Sequence, residues 1–332
     1  MTSPVLSSLL RLRPKQLDSP RRAFSDAEPG VQSRLDAVVE SFAAGYNYAI
    51  APRAGSNPAD VPLELRGFAV EGAAMSSALA DMITFSGGRR LRELARDHGD
   101  RYPHLIHVGA GWAFARLRRR PWRGVRFGEP VLRWLTWDGW GFHQAFFGAR
   151  DVFERQWIEP AARGDVRPIR DQGAGRALWF YAGADPARIA MIISDFPGPR
   201  RPDLWAGIGL AAGYTGAQPA EVVEKLARAA DGYRDQLGQG AAFAAKAHLL
   251  AGPVPEAAAQ AIEVLTGAEP AVAAAWTDSC LCEATGGARS ESTGRAADGE
   301  AASGGADSVA TYQRWRARIR DEFMRHQGGN IF

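Results

Sequence analysis

Three segments of the chain resemble one another, and each carries a Gly-aromatic or Gly-Ala step that leads into an apolar run. They cover residues 33–50, 128–146 and 230–247, so that Gly45, Gly141 and Gly240 align at spacings of 96 and 99 residues. Internal similarity at a fixed period is typical of repeated structural units that bury a core between them. The chain is therefore predicted to fold as tandem repeats.

Two more matched blocks follow in the same order. Residues 66–83 align with 176–193, which pairs Gly72 with Gly183, and residues 105–115 align with 203–213, which pairs Gly109 with Gly207 and Gly111 with Gly209. The predicted organisation is an N-terminal arm at 1–30, helical repeat 1 at 31–125, helical repeat 2 at 126–220, and a partial third repeat with C-terminal helices at 221–332. Within the last part, residues 283–308 lack large apolar side chains and are predicted to be a disordered insertion.

The hydrophobic spacing inside the blocks is that of helices, with apolar residues at i and i+3 or i+4. Asp185 followed by Pro186 supplies a helix N-cap and first-turn proline. Only residues 178–181 are considered as a strand. The predicted fold class is mainly α, with tandem helical repeats of about 97 residues packed into one large compact unit.

Composition excludes several classes of protein. The 332 residues carry a formal net charge of +3 and only two cysteines, which argues against a nucleic-acid-binding protein and a disulfide scaffold. The longest uncharged apolar segment, Leu204–Tyr214, is too short to span a membrane. None of the Gly-x-Gly steps completes a dinucleotide, P-loop or serine-hydrolase motif. We predict a cytoplasmic protein without cofactor or metal.

The repeat also helps to select candidate site residues. Positions filled alike in two copies are interpreted as scaffold, whereas a polar residue found in one copy is a candidate for chemistry. This criterion selects Glu71, His107, Asp138 and His143, which stand beside glycines and aromatic residues. Burial would shift their pKa values, as general acid/base catalysis requires. The alternative is that they are buried polar groups that satisfy helix ends.

Aromatic residues are concentrated between residues 112 and 157. They are interpreted either as core or as the wall of a pocket for a long apolar or conjugated ligand. The predicted ligand-binding residues are Trp112, Trp137, Trp140, Phe142 and Phe146. Nearby, His98, His104 and His107 could bind a metal, but their segment reads as a turn, so solvated loop histidines are the preferred interpretation.

An arginine-rich run lies between the two predicted repeats, from Arg116 to Arg126, with Trp122 inside it. Such a run is usually an exposed linker. It could also dock an acidic protein such as the acyl carrier domain of a polyketide synthase. Local nucleic-acid binding would look similar, but nothing else in the chain supports it.

Six ordered blocks together resemble a known family: RGFAVEGAAM, HVGAGWAFARLRRRP, WDGWGFHQAFF, GRALWFYAGADPARIA, RPDLWAGIGLAAGYTG and GQGAAFAAKA. The resemblance is to an actinobacterial family of unknown function that accompanies enediyne polyketide synthases, the UnbL-type proteins, and it covers roughly residues 5–325 without the insertion. It implies a role in enediyne or related polyketide biosynthesis in the cytoplasm. It transfers no catalytic residues.

Two functions remain open at this stage. The first is an accessory enzyme that acts on a polyene or polyketide intermediate by acid/base chemistry. The second is a non-catalytic protein that sequesters or presents an apolar polyene in an aromatic-lined cavity. The enzyme requires polar groups that converge in one pocket, whereas the binding protein requires only an apolar cavity.

Overall fold

Helices account for most of the backbone that the structure describes. The computed structural model describes residues 11–12, 27–51, 60–119, 121, 127–157, 164–291 and 308–329. In chain order its α-helices are α1 Pro29–Ile50, α2 Arg66–Thr84, α3 Arg89–His98, α4 Pro103–Arg116, α5 Leu135–Phe147, α6 Arg167–Tyr181, α7 Pro186–Ser194, α8 Arg201–Thr215, α9 Ala220–Ala229, α10 Arg234–Ala251, α11 Glu256–Thr266, α12 Pro270–Glu291 and α13 Val309–Gly329. These residues contain no β-strand, so the mainly helical class is confirmed. Residues 178–181, considered above as a strand, belong to α6.

Proline marks the start of several of these helices. A proline occupies the first or second helical position of α1, α4, α6, α7 and α8. Backbone N–H groups in the first turn form no hydrogen bond within the helix, so proline, which lacks this group, is tolerated there. At the start of α7 the side chain of Asp185 also accepts a hydrogen bond from the backbone N–H of Arg188. The predicted N-cap at this position is therefore confirmed.

The longer helices pack side by side in chain order. α1, α2, α4, α5, α6, α8, α10 and α12 each pack against the next one in this series, which we call the helical ladder. α13 packs against both α10 and α12. The shorter helices α3, α7, α9 and α11 lie in the connections between ladder helices.

Paired glycines allow the ladder helices to touch through their backbones. A methyl group at Gly139 of α5 would overlap the carbonyl oxygen of Val108 in α4, and one at Gly141 would overlap that of Arg170 in α6. Residues two apart on an α-helix point about 200° away from each other. The first glycine of each pair therefore faces the preceding ladder helix and the second faces the next one.

The same arrangement recurs along the ladder and shows that neighbouring helices are antiparallel. Between α4 and α5, Gly111 lies against Thr136 while Gly139 lies against Val108, so the chain numbers run in opposite directions. The glycines that face the preceding helix are Gly72, Gly109, Gly139, Gly173, Gly207 and Gly240. They recur every 30 to 37 residues, which is one ladder helix plus one connection.

This interval corrects part of the sequence alignment. Gly183 lies in the turn after α6 with a φ of 63°, so it is not the counterpart of Gly72, which contacts α1 from within α2. Gly45 and Gly141 both face the following ladder helix, whereas Gly240 faces the preceding one. The 97-residue unit stays a prediction.

Two other predictions fall partly outside the described residues. α12 continues to Glu291, so the residues at the start of the predicted insertion at 283–308 are helical; residues 292–307 lie outside the described part of the chain. Of the predicted arm at 1–30, residues 11–12 and 27–30 are described. Leu12 exchanges two hydrogen bonds with the side chain of Asn47 in α1, at 3.0 and 3.2 Å.

Replacing Gly173 by alanine should destabilise the protein by about 2 kcal/mol, because the new methyl group overlaps the carbonyl oxygen of Asp138 and α5 and α6 must separate. The control is Gly30→Ala in the first turn of α1, where no atom lies within 4 Å of the added carbon. That change should be neutral or stabilise by up to about 1 kcal/mol. Urea denaturation measures both, and equal effects of the two substitutions would contradict the glycine contacts.

Candidate binding cavities and buried ion cluster

The helical ladder bends back on itself, and one face lines an interior. α2 is separated from α6 and α8 in the ladder, yet the carboxylate of Glu71 in α2 lies 3.7 Å from the guanidinium of Arg176 in α6. The rings of Phe68 in α2 and Tyr214 in α8 are 5.0 Å apart. Side chains from helices that are distant in the ladder therefore meet inside it.

The first interior space, cavity A, is mainly aromatic. It has an empty volume of about 470 Å³ and is partly open to solvent. It is lined by Val38, Val39, Phe42, Phe68, Glu71, Trp112, Phe142, Phe146, Phe147, Arg176 and Phe180. Nine of these eleven side chains are apolar, so an apolar ligand would find contact area on most sides.

The second space, cavity B, has an empty volume of about 490 Å³. Its walls come from later ladder helices and from α13. The lining residues are His104, Leu105, Val108, Leu135, Asp138, Arg176, Leu210, Tyr214, Phe243, Ala247 and Trp315. Since Arg176 lines both cavities, its guanidinium marks the boundary between them.

Two carboxyl groups flank this guanidinium, and the three side chains form what we call the ion cluster. Arg176 donates to Asp138 at 2.5 Å, while Glu71 lies farther away, at 3.7 Å. Gln172 donates a second hydrogen bond to Asp138 at 2.8 Å. The guanidinium also lies over the ring of Phe142, 4.9 Å from its centroid. Arg176 is therefore paired mainly with Asp138.

The glycine pairs explain why these side chains point inward. Three of the inward-pointing polar residues each stand directly before a glycine that faces the preceding ladder helix. They are Glu71 before Gly72, Asp138 before Gly139 and Gln172 before Gly173. Gln239 precedes Gly240 in the same way. Because the glycines fix which sides of the helix face the neighbours, the residue before them is held on the interior face.

Burial changes the protonation of the cluster. Loss of hydration raises the pKa of Glu71 to about 7, although the charge of Arg176 favours its ionised form and Asp138 opposes it. Burial also raises the pKa of the neighbouring Tyr214 phenol. The protonated and ionised forms of Glu71 are therefore both accessible near neutral pH, within the wall of an aromatic cavity.

Three of the predicted ligand-binding aromatics, Trp112, Phe142 and Phe146, line cavity A. Trp137 and Trp140 do not line either cavity described above; their buried rings pack 5.4 Å from each other. Helix position 140 lies between the two ladder contacts of α5 on the side opposite Phe142, so Trp140 is directed away from cavity A, and a ligand-binding role for these two tryptophans stays a prediction.

Of the four candidate acid/base residues, the structure brings together Glu71 and Asp138 through Arg176. His143 lies behind the wall of cavity A, with its ring 5.8 Å from that of Trp112 and 4.8 Å from that of Phe147. Burial and the charge of Arg116 lower its pKa to about 3. The four residues do not converge on one pocket.

His107 also lies outside the linings of both cavities. Its ring stacks on Phe127 at 4.3 Å, and its Nδ1 donates to the carbonyl oxygen of Pro103 at 2.7 Å. The interpretation of His98, His104 and His107 as solvated loop residues is wrong, because Pro103 begins α4 and His107 is fully buried within it. Among the described residues, no group of three or more His, Cys, Asp or Glu side chains could hold a metal ion.

The predicted docking run is described only in part. Arg116, Arg118 and Arg119 are exposed at the end of α4, whereas Arg120 and residues 122–126, including Trp122, lie outside the described residues. No helix in the described part of the chain is long and apolar enough to cross a bilayer.

In the described part of the chain, the fold is mainly helical, and cavities A and B meet at a buried ion cluster. Residues 2–323 match the model of the family described as protein of unknown function DUF1702, and the chain belongs to that family. No curated protein matches the chain. No solved structure matches it either.

Proposed function

We propose that this protein binds an apolar, unsaturated intermediate of enediyne or related polyketide biosynthesis in cavity A, and that Glu71 exchanges a proton with it there. The observation that carries the proposal is the position of Glu71. Glu71 is only 2 % exposed, and its carboxyl group is the one acidic group in a wall that otherwise consists of apolar and aromatic side chains and Arg176.

The wall suits a flat, conjugated molecule. The rings of Phe42 and Trp112 lie 4.5 Å apart, and those of Trp112 and Phe142 lie 4.8 Å apart. Such a continuous aromatic surface supplies a large contact area with few rotamers to immobilise. A polyene or a nascent polyketide chain has the matching shape and polarity.

The acid also has the pKa that proton transfer requires. A general acid or base works best when its pKa lies near the working pH, because both forms are then populated. Burial places Glu71 at about 7. In this proposal Asp138 and Arg176 position and tune Glu71, and His107 and His143 have no part in the reaction because they line neither cavity.

A second candidate function is sequestration without chemistry. It is favoured by the composition of cavity A, in which Glu71 and Arg176 are the only charged groups among eleven lining residues. A protein that only shields a reactive polyene needs no more than such an apolar enclosure. The two functions differ in what they require of the Glu71 carboxyl group.

Diphenylhexatriene, a neutral conjugated probe that fluoresces in apolar surroundings, tests binding. We expect saturable binding that Phe146→Trp weakens at least about tenfold, because the larger ring fills part of cavity A. Phe153→Trp is the matched control, since Phe153 is buried against Tyr181 and lines neither cavity. Absence of saturable binding would contradict both functions.

The substitution Glu71→Gln in a polyketide-producing strain then distinguishes proton transfer from sequestration. If Glu71 transfers a proton, the strain should lose the mature product while the purified variant still binds diphenylhexatriene. The control is Glu93→Gln on the exposed side of α3. Normal product from the Glu71→Gln strain would reject the catalytic role and leave sequestration.

The same role implies an encounter with the enzyme that makes the polyketide. We propose that an acidic acyl carrier domain docks on Arg116–Arg126 in the cytoplasm. The exposed side chains of Arg116, Arg118 and Arg119 support this, because Arg116 is the last residue of α4 and the other two follow directly, and α4 also carries Trp112 of cavity A. Association through such a surface should weaken with rising salt.

We further propose that the scaffold derives from repetition of a helical unit, as the spacing of about 97 residues predicts. The equivalent contacts of Gly109 and Gly207, and of Gly111 and Gly209, support this. Gly109 and Gly207 each face the preceding ladder helix, and Gly111 and Gly209 each face the next one.

A further inference from the structure

We infer that cavity A selects the charge of its ligand: it accepts a molecule whose inner end is a cationic or hydrogen-bond-donating group and rejects one whose inner end is a carboxylate. This inference rests on the proposed function, since it describes the ligand of the same cavity. It narrows the substrate class to apolar molecules that present an ammonium or a hydroxyl group to Glu71.

The first support is the balance of charge in the ion cluster. Arg176 forms its close hydrogen bond with Asp138, so one carboxylate already neutralises its charge. Glu71 lies at 3.7 Å, beyond hydrogen-bonding distance from the same guanidinium. Ionised Glu71 leaves this buried cluster with two negative charges against one positive, which favours a cation and disfavours another anion.

The second support is an open acceptor. The Oε1 atom of Glu71 is buried and has no donor at hydrogen-bonding distance, although the indole of Trp112 and the guanidinium of Arg176 lie close enough to favour its ionised form. A buried acceptor without a donor costs free energy that a suitable partner recovers. Since Glu71 lines cavity A, a ligand there can supply the missing donor. An ammonium or a hydroxyl group can do so, and a carboxylate cannot.

The third support is the aromatic wall itself. Ring faces attract cations, most strongly when both are shielded from water. One cation already uses this surface, because the guanidinium of Arg176 lies over Phe142. The neighbouring rings of Phe42, Trp112 and Phe146 extend the surface away from Arg176. An aromatic enclosure with a carboxylate in its wall is a suitable environment for an organic ammonium group.

A positive side chain also lies near the cavity and bears on the test. Arg116 is exposed, and its charge reaches Tyr46 and His143 close to the aromatic wall. An anionic ligand could therefore bind in the opposite orientation, with its carboxylate outside near Arg116. Such binding would depend on Arg116 and not on Glu71, so two variants distinguish the orientations.

The experiment compares three matched fluorescent probes: diphenylhexatriene, its trimethylammonium derivative and its propionic acid derivative. At pH 8 the cationic probe should bind at least about tenfold more tightly than the anionic one. Glu71→Gln should reduce this ratio to within about threefold, whereas Glu93→Gln should leave it unchanged. Arg116→Gln removes any contribution from reversed binding of the anionic probe.

The outcomes distinguish charge selection by cavity A from the proposed binding of an apolar ligand in the same cavity. If none of the probes binds, the proposed function fails. If the probes bind but the anionic one binds as tightly as the cationic one in the Arg116→Gln protein, cavity binding stands and charge selection is wrong. A ratio that Glu71→Gln does not change would also overturn the assignment to Glu71.

Should Glu71→Gln fail to fold, the native protein provides the second test. The affinity for the permanently charged cationic probe should increase between pH 5.5 and 8.5 as Glu71 ionises, while that for neutral diphenylhexatriene should not. The other titratable groups facing Glu71 are Asp138, Arg176 and Tyr214. A pH profile that is the same for both probes would contradict charge selection.

Discussion

Replacing Arg176 by methionine should lower the free energy of unfolding by about 3–5 kcal/mol. The guanidinium is the one positive group between Glu71 and Asp138, and all three side chains are buried. Methionine preserves much of the volume but leaves two carboxyl groups without a counter-charge. Urea denaturation of the purified variant measures the effect.

The matched control is Arg150→Met. Arg150 also forms an ion pair, with Glu154 at 3.3 Å, but its side chain is 76 % exposed. Exposed pairs of this kind contribute little to stability, so the control should change the free energy of unfolding by less than about 1 kcal/mol. Similar losses in the two variants would show that the ion cluster has no special role in stability.

The second large effect is on the pH dependence of stability. The pKa of Glu71 is about 7 in the folded protein, above its ordinary value of 4.5. Folding therefore retains a proton that the unfolded chain releases, and the associated stability is fully present below pH 4.5 and is lost as the pH rises to about 7. One pKa unit corresponds to about 1.4 kcal/mol, so the total loss is about 3 kcal/mol.

Glu71→Gln removes this titration. The free energy of unfolding of the variant, relative to the native protein, should therefore rise by about 3 kcal/mol between pH 4.5 and 7.5. Glu93→Gln, at an exposed position, should follow the native protein throughout. Parallel curves for the native protein and Glu71→Gln would mean that Glu71 keeps an ordinary pKa in the fold.

Helical structure and the small residues between helices were predictable because both leave a local pattern. Apolar spacing of three and four residues indicates the helices, and Gly-x-Gly steps such as Gly139 and Gly141 stand in the sequence where the helices approach closely. The period was harder to read. The connections between ladder helices differ in length and in amino-acid composition, which hides the interval between successive ladder helices. The clearest alignment therefore appeared at spacings of 96 and 99 residues, which is close to three successive intervals between the glycines of the ladder.

The misaligned block also explains why Arg176 was overlooked. Pairing residues 66–83 with 176–193 placed Arg176 opposite Arg66, and residues alike in two copies were interpreted as scaffold. The glycine register carries the missing signal. Phe142 and Arg176 each stand three residues after the first glycine of a pair, and both point into the interior.

The histidines show what cannot be predicted from a single amino-acid sequence. His107 and His143 stand beside glycines and aromatic residues, as Glu71 and Asp138 do, and all four are buried. Whether such a residue reaches a cavity depends on its angle around the helix relative to both neighbouring helices. Sequence spacing gives that angle only after the contacts of the helix are known, and these arise from residues distant in the chain.

In this chain, the residues that set the spacing of the helices are different from the residues that line the cavities. The distance between neighbouring helices is set by contacts between backbone atoms at the glycines. The side chains that point into the interior take no part in these contacts. Chemical specificity can therefore evolve independently of architecture. A descendant that exchanged Glu71 or Phe146 for other residues would keep the same helix spacing, so a single lineage could diversify its ligands while its outline stayed constant.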